Sequence, residues 1–449
     1  MLSTNDFKVM CKYVLLLVSG VIFTTQTSLA QSEIRTYYDN EKELLKEKYL
    51  VLAGDLERVD GKYQKFHPNG QLATEGVFSD GEKTGTFVEY YDNGTKFRSI
   101  GYKAGIKNGA FTIYNPQGKV IQQGTFKNDQ LDDSLHTFFD NGQPRTKAFF
   151  AGGKPNGIVI DYYTNGKVKK ELTYVDGMQT GIGKTYYEDG KLKTEGNYKN
   201  GLLNGYYKTY HPNGQLDTES EMKEGAKNSN FKSYNEKGTL IVEGHYANGA
   251  LDGKNIGYFD NGKVKHEFNY IDGKKDGTNI EYHTNGKVKS KGKYTNEEKN
   301  RSVTEYFEDG QVKSVQAFED DKPIDVHKFY YANGQLKLVK PHENGGLNGN
   351  QIAYYENGNP KSEEPLKFGK RYGVVKTYFS SGKLKTEANF QSDKNHGVYI
   401  EYHDNGSVAL EGKYAANRKV GDWKYYNDQE ELIKTEVYQV DKLVKTITP

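Results

Sequence analysis

A glycine recurs at every twenty-fourth position through most of this 449-residue chain. The series begins at Gly70 and runs through fifteen successive positions to Gly406, with no insertion or deletion between them. A fixed period of this length is typical of repeat proteins, in which each unit is one supersecondary motif packed against its neighbours. The fold is therefore predicted to be an array of 24-residue units.

Aromatic residues keep the same period. The position four residues before each glycine is Tyr or Phe in all sixteen units, from Phe66 to Tyr426, and a second aromatic column follows eight residues after the glycine. We predict structural turn glycines at Gly70, Gly94, Gly142, Gly166, Gly190, Gly214, Gly262, Gly286, Gly310, Gly334, Gly358 and Gly406. We predict a binding or packing column at Tyr90, Tyr162, Tyr186, Tyr210, Tyr258, Tyr282, Tyr306, Tyr330, Tyr354, Tyr378 and Tyr402.

Each unit is predicted to be one β-hairpin. In residues 61–84, two runs of strand-forming residues flank Asn69-Gly70, and Asn-Gly favours a two-residue turn with positive φ at both residues. The stretch 79–84 is then a linker to the next hairpin, with no room for a crossover helix. The predicted fold class is all-β, an elongated antiparallel β-hairpin repeat ribbon forming one twisted sheet of about sixteen hairpins.

The two faces of such a sheet differ in character. With Asn69-Gly70 at the centre of the turn, paired residues have numbers that sum to 139. One face then carries the second aromatic column and the position of Phe87, Phe111 and Trp423, so we expect it to be buried. The other face carries the tyrosine column among lysines and glutamates. For these tyrosines, packing across strands is favoured over a ligand platform, because a specific site does not need sixteen copies.

Residues 1–30 predict a secretory signal peptide. Lys8 and Lys12 precede an apolar run at 13–23 that is short for a membrane span, and small residues precede a cleavage site after Ala30. A retained membrane anchor is the alternative. The predicted domains are the signal peptide 1–30, an N-terminal cap 31–60, the repeats 61–441 and a C-terminal tail 442–449. Residues 31–60 are expected to form a short helix or a strand.

The composition and the motifs argue against several functions. The net charge of +2 is unlike that of a nucleic-acid-binding domain. No nucleophile, P-loop or metalloprotease motif occurs, and the histidines that share one column, His67, His211, His283 and His403, lie too far apart for one metal. We expect no catalytic or metal-binding residues, no cofactor and no enzymatic activity.

The repeat resembles the MORN repeat variant of bacterial proteins. The best copies are residues 186–205 (YYEDGKLKTEGNYKNGLLNG) and 282–294 (YHTNGKVKSKGKY), and the resemblance covers about 61–441. It implies an antiparallel hairpin ribbon that acts as a scaffold, with lipid contact suspected for eukaryotic members. Many bacterial relatives carry an antitoxin-like label, which suits a cytosolic protein better than one with an export signal.

Three functions remain open. The first is an exported, non-enzymatic scaffold for protein–protein interaction in the periplasm, at the cell envelope or outside the cell. The second is a module that binds surface glycan or lipid headgroups through Tyr beside Lys, and the third is an antitoxin-like component. The expected partner is a protein, with glycan or lipid headgroup as alternatives, no nucleic acid, and no transmembrane span after signal removal.

Overall fold

The computed structural model describes residues 31–52 and 54–449, so the predicted signal peptide lies outside the described residues. The described ranges contain 39 β-strands and no helix. They divide into two compact units. One holds the described residues up to Gln143 together with Phe150–Gly153, and the other holds Pro144–Phe149 and Lys154–Pro449.

The first unit contains nine strands. They are β1 (Gln31–Tyr37), β2 (Leu45–Leu52), β3 (Asp55–Phe66), β4 (Leu72–Ser79), β5 (Glu82–Tyr90), β6 (Lys96–Lys103), β7 (Ile106–Tyr114), β8 (Val120–Lys127) and β9 (Gln130–Phe138). Each strand pairs antiparallel with the next one along the chain.

The second unit contains the other thirty strands, apart from the last two residues of β10. They are β10 (Pro144–Ala151), β11 (Lys154–Pro155), β12 (Gly157–Tyr162), β13 (Val168–Val175), β14 (Met178–Tyr186), β15 (Leu192–Lys199), β16 (Leu202–Tyr210), β17 (Leu216–Lys223), β18 (Ala226–Tyr234), β19 (Leu240–Ala247), β20 (Ala250–Tyr258), β21 (Val264–Ile271), β22 (Lys274–Lys275), β23 (Gly277–Tyr282), β24 (Val288–Thr295), β25 (Asn300–Tyr306), β26 (Val312–Glu319), β27 (Lys322–Tyr330), β28 (Leu336–Glu343), β29 (Gly346–Leu347), β30 (Gly349–Tyr354), β31 (Pro360–Lys367), β32 (Lys370–Arg371), β33 (Gly373–Tyr378), β34 (Leu384–Gln391), β35 (Lys394–Tyr402), β36 (Val408–Ala415), β37 (Arg418–Tyr426), β38 (Leu432–Gln439) and β39 (Lys442–Ile447). Pairing is again antiparallel between neighbours in the chain. The predicted all-β hairpin-repeat fold class is confirmed.

The predicted pairing register is also confirmed. Tyr63 pairs with Gly76 and Lys65 with Thr74, so the paired numbers sum to 139. The register follows because apolar residues alternate with polar ones, and a slip by one position would move every apolar side chain to the other face.

The predicted turn type is wrong. His67 and Gly70 close a β-turn, with the Gly70 amide donating to the His67 carbonyl at 2.9 Å, and the His67 amide donates to the Gln71 carbonyl at 2.7 Å. Gly70 has a φ of +83°, whereas the φ of Asn69 is not positive. The loop therefore has three residues, with glycine as the left-handed residue, and the adjoining pair Phe66–Leu72 is shifted by one.

The two-residue turn with positive φ at both residues lies instead in the predicted linker. Ser79 pairs with Glu82, and the residues between them, Asp80 and Gly81, have φ of +56° and +83°. The stretch 79–84 thus belongs largely to strands β4 and β5, and within the repeats short turns join the strands at both edges of the sheet. We call the edge with loops equivalent to 68–70 the hairpin-turn edge, and the edge with turns equivalent to 80–81 the linker edge.

The buried face is the one that the sequence predicts. Phe87, Phe111 and Trp423 are 3%, 3% and 1% exposed. Each lies beside a glycine of the neighbouring strand, so that a Cβ at Gly412 would come within 2.3 Å of the Trp423 ring. Glycine here makes room for a ring that covers the backbone of the adjacent strand.

The segments outside the repeats extend the same ladder. Within 31–60, β1 pairs with β2 and β2 with β3, so this region forms strands and not a helix. In the predicted tail 442–449, β39 pairs with β38.

Candidate functional site

The predicted tyrosine column lies half-buried on the face opposite the aromatic core. In seven repeats the tyrosine hydroxyl donates to a glutamate fifteen residues earlier, at 2.6 to 3.1 Å. The pairs are Tyr90–Glu75, Tyr234–Glu219, Tyr258–Glu243, Tyr282–Glu267, Tyr378–Glu363, Tyr402–Glu387 and Tyr426–Glu411. These contacts join strands of consecutive repeats, so these hydroxyls have a structural partner.

The acid–base behaviour of these tyrosines follows from the same contacts. Burial, followed by the hydrogen bond to glutamate, raises the pKa of Tyr90, Tyr258 and Tyr378 to about 12. The phenols are therefore neutral near pH 7 and donate to the carboxylates. Each of these three hydroxyls is thus held as a hydrogen-bond donor within the sheet.

The candidate tyrosines outside these pairs are Tyr162, Tyr186, Tyr210, Tyr306, Tyr330 and Tyr354, and all are half-buried. The Lys147 ammonium lies 5.6 Å from the centre of the Tyr162 ring. The carbonyls of Tyr186, Tyr210, Tyr306 and Tyr354 accept hydrogen bonds from the preceding repeat. The structure spreads the column along successive repeats instead of gathering it into one pocket.

Asparagines on the hairpin-turn edge form a ladder that sequence reasoning missed. The Asn69 Oδ1 accepts from the Gln71 amide at 3.0 Å, and its Nδ2 donates to the Asp92 carbonyl in the next turn at 2.7 Å. The donation recurs at 2.6 to 3.2 Å from Asn69, Asn93, Asn165, Asn213, Asn285, Asn333, Asn357 and Asn405. The signal in the sequence is the Asn that precedes each turn glycine. Turn conformation alone is enough to explain an Asn there, so the hydrogen bond to the next repeat becomes visible only when that repeat is placed beside it.

The histidine column has the same structural task. The Nε2 of His67, His211, His283 and His403 lies 2.9 to 3.1 Å from a backbone carbonyl of the next repeat. Because a carbonyl can only accept, Nε2 must carry the proton. Tyrosine hydroxyls replace histidine at this register in Tyr91, Tyr163, Tyr187, Tyr331 and Tyr355. Within the described ranges, no group of three or more His, Cys, Asp or Glu side chains is placed to hold a metal.

The linker edge is where the repeats differ. Successive turns are joined by a backbone bond such as that from the Gly81 amide to the Val59 carbonyl, at 2.9 Å. The sequence loses both marker glycines at Glu297 and Arg301, and here the turn is longer, with the Lys299 amide donating to the Asn296 carbonyl at 3.1 Å. Arg301 pairs with Asp321 at 2.6 Å, so side chains hold this turn where the glycines are missing.

The comparisons with known proteins identify the class. The MORN repeat variant matches residues 59–80, 107–128, 155–176, 179–200, 203–224, 251–272, 275–296, 326–344, 347–367, 371–392 and 395–416, which is more than half of the chain. The chain therefore belongs to the MORN repeat variant family. Repeats of this family generally form non-catalytic scaffolds for protein or membrane interactions. Among the described residues, no helix has the length and apolar character needed to cross a membrane.

No curated protein matches this chain. The Tc holotoxin pore of Photorhabdus luminescens is 10% identical over 90% of this chain and 26% of its own, with a TM-score of 0.15. The TcdB2-TccC3-Cdc42 structure is 11% identical over 92% of this chain and 27% of its own, with a TM-score of 0.14. This chain spans about a quarter of the length of those chains, and TM-scores this low carry no argument about fold or function.

Proposed function

We propose that the protein is an exported, non-enzymatic repeat scaffold that mediates protein–protein interaction at the cell envelope. One observation carries the proposal. On the hairpin-turn edge, eight Asn, four His and five Tyr side chains hydrogen-bond to the next repeat. Their polar groups hold the array together, and the variable linker edge remains as the surface on which individual repeats can differ.

Export is inferred from the pattern of residues 1–30. The basic start, short apolar run and small residues before position 31 match a secretory signal. Cleavage after Ala30 would also remove Cys11, the single cysteine, and leave a chain that is indifferent to an oxidising compartment.

A glycan-binding role is the second candidate, favoured by one groove. A cavity of about 220 Å³ on the tyrosine face is lined by Tyr206, Lys208, Glu219, Asn230 and Lys232 among others. An aromatic ring beside amide and charged groups suits a sugar, with lipid headgroup as the related alternative. An antitoxin-like role rests on the family resemblance alone.

The test is to follow the full chain in its source cells. We would fractionate cells that express the tagged protein, treat them with a lysine-reactive cross-linker, and map the cross-linked peptides. The proposal expects the protein in the envelope fraction, cross-linked to one or a few proteins through linker-edge lysines. A protein found in the cytoplasmic fraction would contradict export. If the protein is retained on glycan or lipid and gives no protein cross-links, glycan or lipid binding replaces the scaffold role.

A further inference from the structure

The turn between β31 and β32 has an unusual residue at its first position. Lys367 pairs with Lys370, and the two residues between them are Phe368 and Gly369. Phe368 has a φ of +51°, and its side chain is 84% exposed. A bulky residue in the left-handed region is strained, and here the exposed ring gains little packing in return.

The other repeats place smaller or polar residues at the same register, most often Asp or Asn. They are Asp80, Ala104, Asn128, Gly152, Asp176, Asn200, Glu224, Asn248, Asp272, Asn296, Asp320, Asn344, Ser392 and Ala416, with Val440 as a second bulky exception. Asn, Asp and Gly adopt positive φ readily. Folding of the turn therefore does not explain a phenylalanine at 368.

A second exposed aromatic and several cations surround Phe368. Tyr372 is 51% exposed, at a register where most repeats have Asn, Asp or Thr. The Lys367 ammonium lies 6.0 Å from the Phe368 ring centre and 5.8 Å from the Tyr372 ring centre. Lys367 and Lys370 are exposed, and among the described residues neither forms a salt bridge within 4.0 Å, although Lys370 is near enough to the Asp393 carboxylate to help lower its pKa. We call Lys367, Phe368, Lys370 and Tyr372 the Phe368 patch.

The patch rests on a fixed base. Arg371 lies 3.3 Å from the Asp393 carboxylate of the next turn, and its backbone amide donates to the same carboxylate at 2.9 Å. The Asp393 amide in turn donates to the Arg371 carbonyl at 3.1 Å. The aromatic side chains thus project from a turn that is tied to its neighbour, which limits the entropy lost on binding.

We propose that the Phe368 patch is a docking site for a protein partner whose surface presents an apolar pocket ringed by carboxylates. Exposed aromatic residues are the usual energetic centre of protein interfaces, and the exposed lysines supply the complementary charge. Lys394 and Arg418 keep the Lys370 register in the next two turns, but Gln391 and Ala415 replace Lys367, and Ser392 and Ala416 replace Phe368. Among these three turns the exposed ring beside a lysine is therefore confined to this one, which favours a compact acidic partner with an apolar pocket over a long polyanion. The inference rests on the proposed scaffold function and names the surface that serves it.

The experiment uses the full chain and a phage-displayed library of random peptides. Peptides are selected on the unmodified protein and then measured against Phe368→Asn, which keeps a residue compatible with positive φ. The expected result is enrichment of peptides that combine Asp or Glu with apolar residues, and affinity that falls about 30-fold in Phe368→Asn. Val440→Asn is the matched control. It relieves the same kind of backbone strain away from the patch and is expected to leave binding unchanged.

Other outcomes would overturn the proposal. Peptides that bind Phe368→Asn equally well would contradict this site while leaving a scaffold role intact. Failure to enrich any peptide would contradict a protein-docking patch. Phe368-dependent binding to vesicles of phosphatidylglycerol, or to the polysaccharide alginate, would assign the patch to lipid or glycan. Urea unfolding of Phe368→Asn is measured beside binding, and a midpoint at or above that of the parent, which we expect, shows that lost binding does not come from misfolding.

Discussion

At the scale of single residues, the core depends on pairs of a large ring and a glycine. Gly76 lies against Phe87, Gly196 against Tyr207 and Gly412 against Trp423, and a Cβ added at any of these glycines would lie only 2.3 to 2.6 Å from the ring. The ring occupies the volume that a side chain would need. Glycine at this register is therefore a packing requirement, distinct from the turn glycines, whose requirement is positive φ.

Gly412→Ala is the direct test of this packing. We expect it to destabilise the fold by about 1 to 3 kcal/mol, because the added methyl group must displace the Trp423 ring. The measurement is urea unfolding followed by fluorescence of Trp423, the single tryptophan of the chain. Gly346→Ala is the control, since its nearest neighbour would be the Glu343 carbonyl at 3.9 Å, and it should shift stability by less than about 0.5 kcal/mol. Equal losses in both variants would contradict the packing argument.

The tyrosine–glutamate pairs predict a loss of stability at alkaline pH. Burial and the Glu243 hydrogen bond raise the pKa of Tyr258 to about 12, above the value near 10 expected in the unfolded chain. The folded state then holds its proton more tightly, so this contribution is complete below pH 10 and is lost as the pH rises from 10 towards 12. Urea midpoints measured across this interval should fall.

Absorbance at 295 nm checks the same assignment directly. Phenolate should form at higher pH in the folded protein than in guanidinium, and Tyr258→Phe should remove one of the late-titrating groups. A folded protein whose tyrosines all titrate near pH 10 would show that the hydroxyl–carboxylate contacts do not form.

At the scale of single elements, the loop on the hairpin-turn edge does two tasks. The Asn213 Oδ1 accepts from the Gln215 amide at 2.9 Å, which shapes its own loop. Its Nδ2 donates to the Glu236 carbonyl at 2.6 Å, which ties that loop to the next. One side chain thus couples local conformation to the contact between repeats.

Two substitutions at Asn213 separate these tasks. Asn213→Ala loses both hydrogen bonds, and we expect a loss of about 1 to 2 kcal/mol from the free energy of unfolding. Asn213→Asp keeps the acceptor but loses the donor, as at Asp189, where a carboxylate accepts from the Lys191 amide at 3.0 Å. Its loss should be smaller, as measured by urea unfolding. If Asn213→Ala is as stable as the parent, the asparagine hydrogen bonds do not contribute to stability.

The loops also show where prediction from sequence stops. The period and the alternation of apolar residues determine the strands, their pairing register and the buried face. The loop conformation is not determined, because Asn-Gly is compatible with both a two-residue turn and a three-residue loop. The role of Asn69 is not visible either, since its hydrogen-bond partner, the Asp92 carbonyl, is defined only when the next repeat lies beside it.

At the scale of the whole molecule, identical registers predict that repeats can be removed as units. Deleting residues 181–204 joins Thr180 to Gly205, which stands at the same register as Gly181. We expect this variant to fold, with an unchanged circular dichroism spectrum per residue and a urea slope reduced by roughly one repeat's share. Deleting 181–192 removes a single strand. The residues that follow would then place their hairpin turns on the linker edge, so we expect the repeats around the deletion to unfold. Similar behaviour of both deletions would contradict a register of one hairpin per repeat.

Function at this scale is predictable only to the level of the family. The repeated columns indicate a scaffold, because their side chains recur at every step. The Phe368 patch does not stand out in the sequence, since Phe368 occupies a turn position whose backbone conformation and exposure only the structure supplies. A search for periodicity passes over such exceptions, although the proposed docking site is built on one.

The asparagine ladder has a direction, and this has a practical consequence. Every donation runs from one repeat to the repeat that follows it, as from Asn285 to Glu308 and from Asn333 to Glu356. A chain divided between two repeats would leave bare amide donors on the leading fragment and bare carbonyls on the trailing one. The donors of the leading fragment would pair with the carbonyls of the trailing fragment, whereas two copies of one fragment would lack this complement. Such a junction therefore suits a two-part reporter that assembles only from the two different fragments.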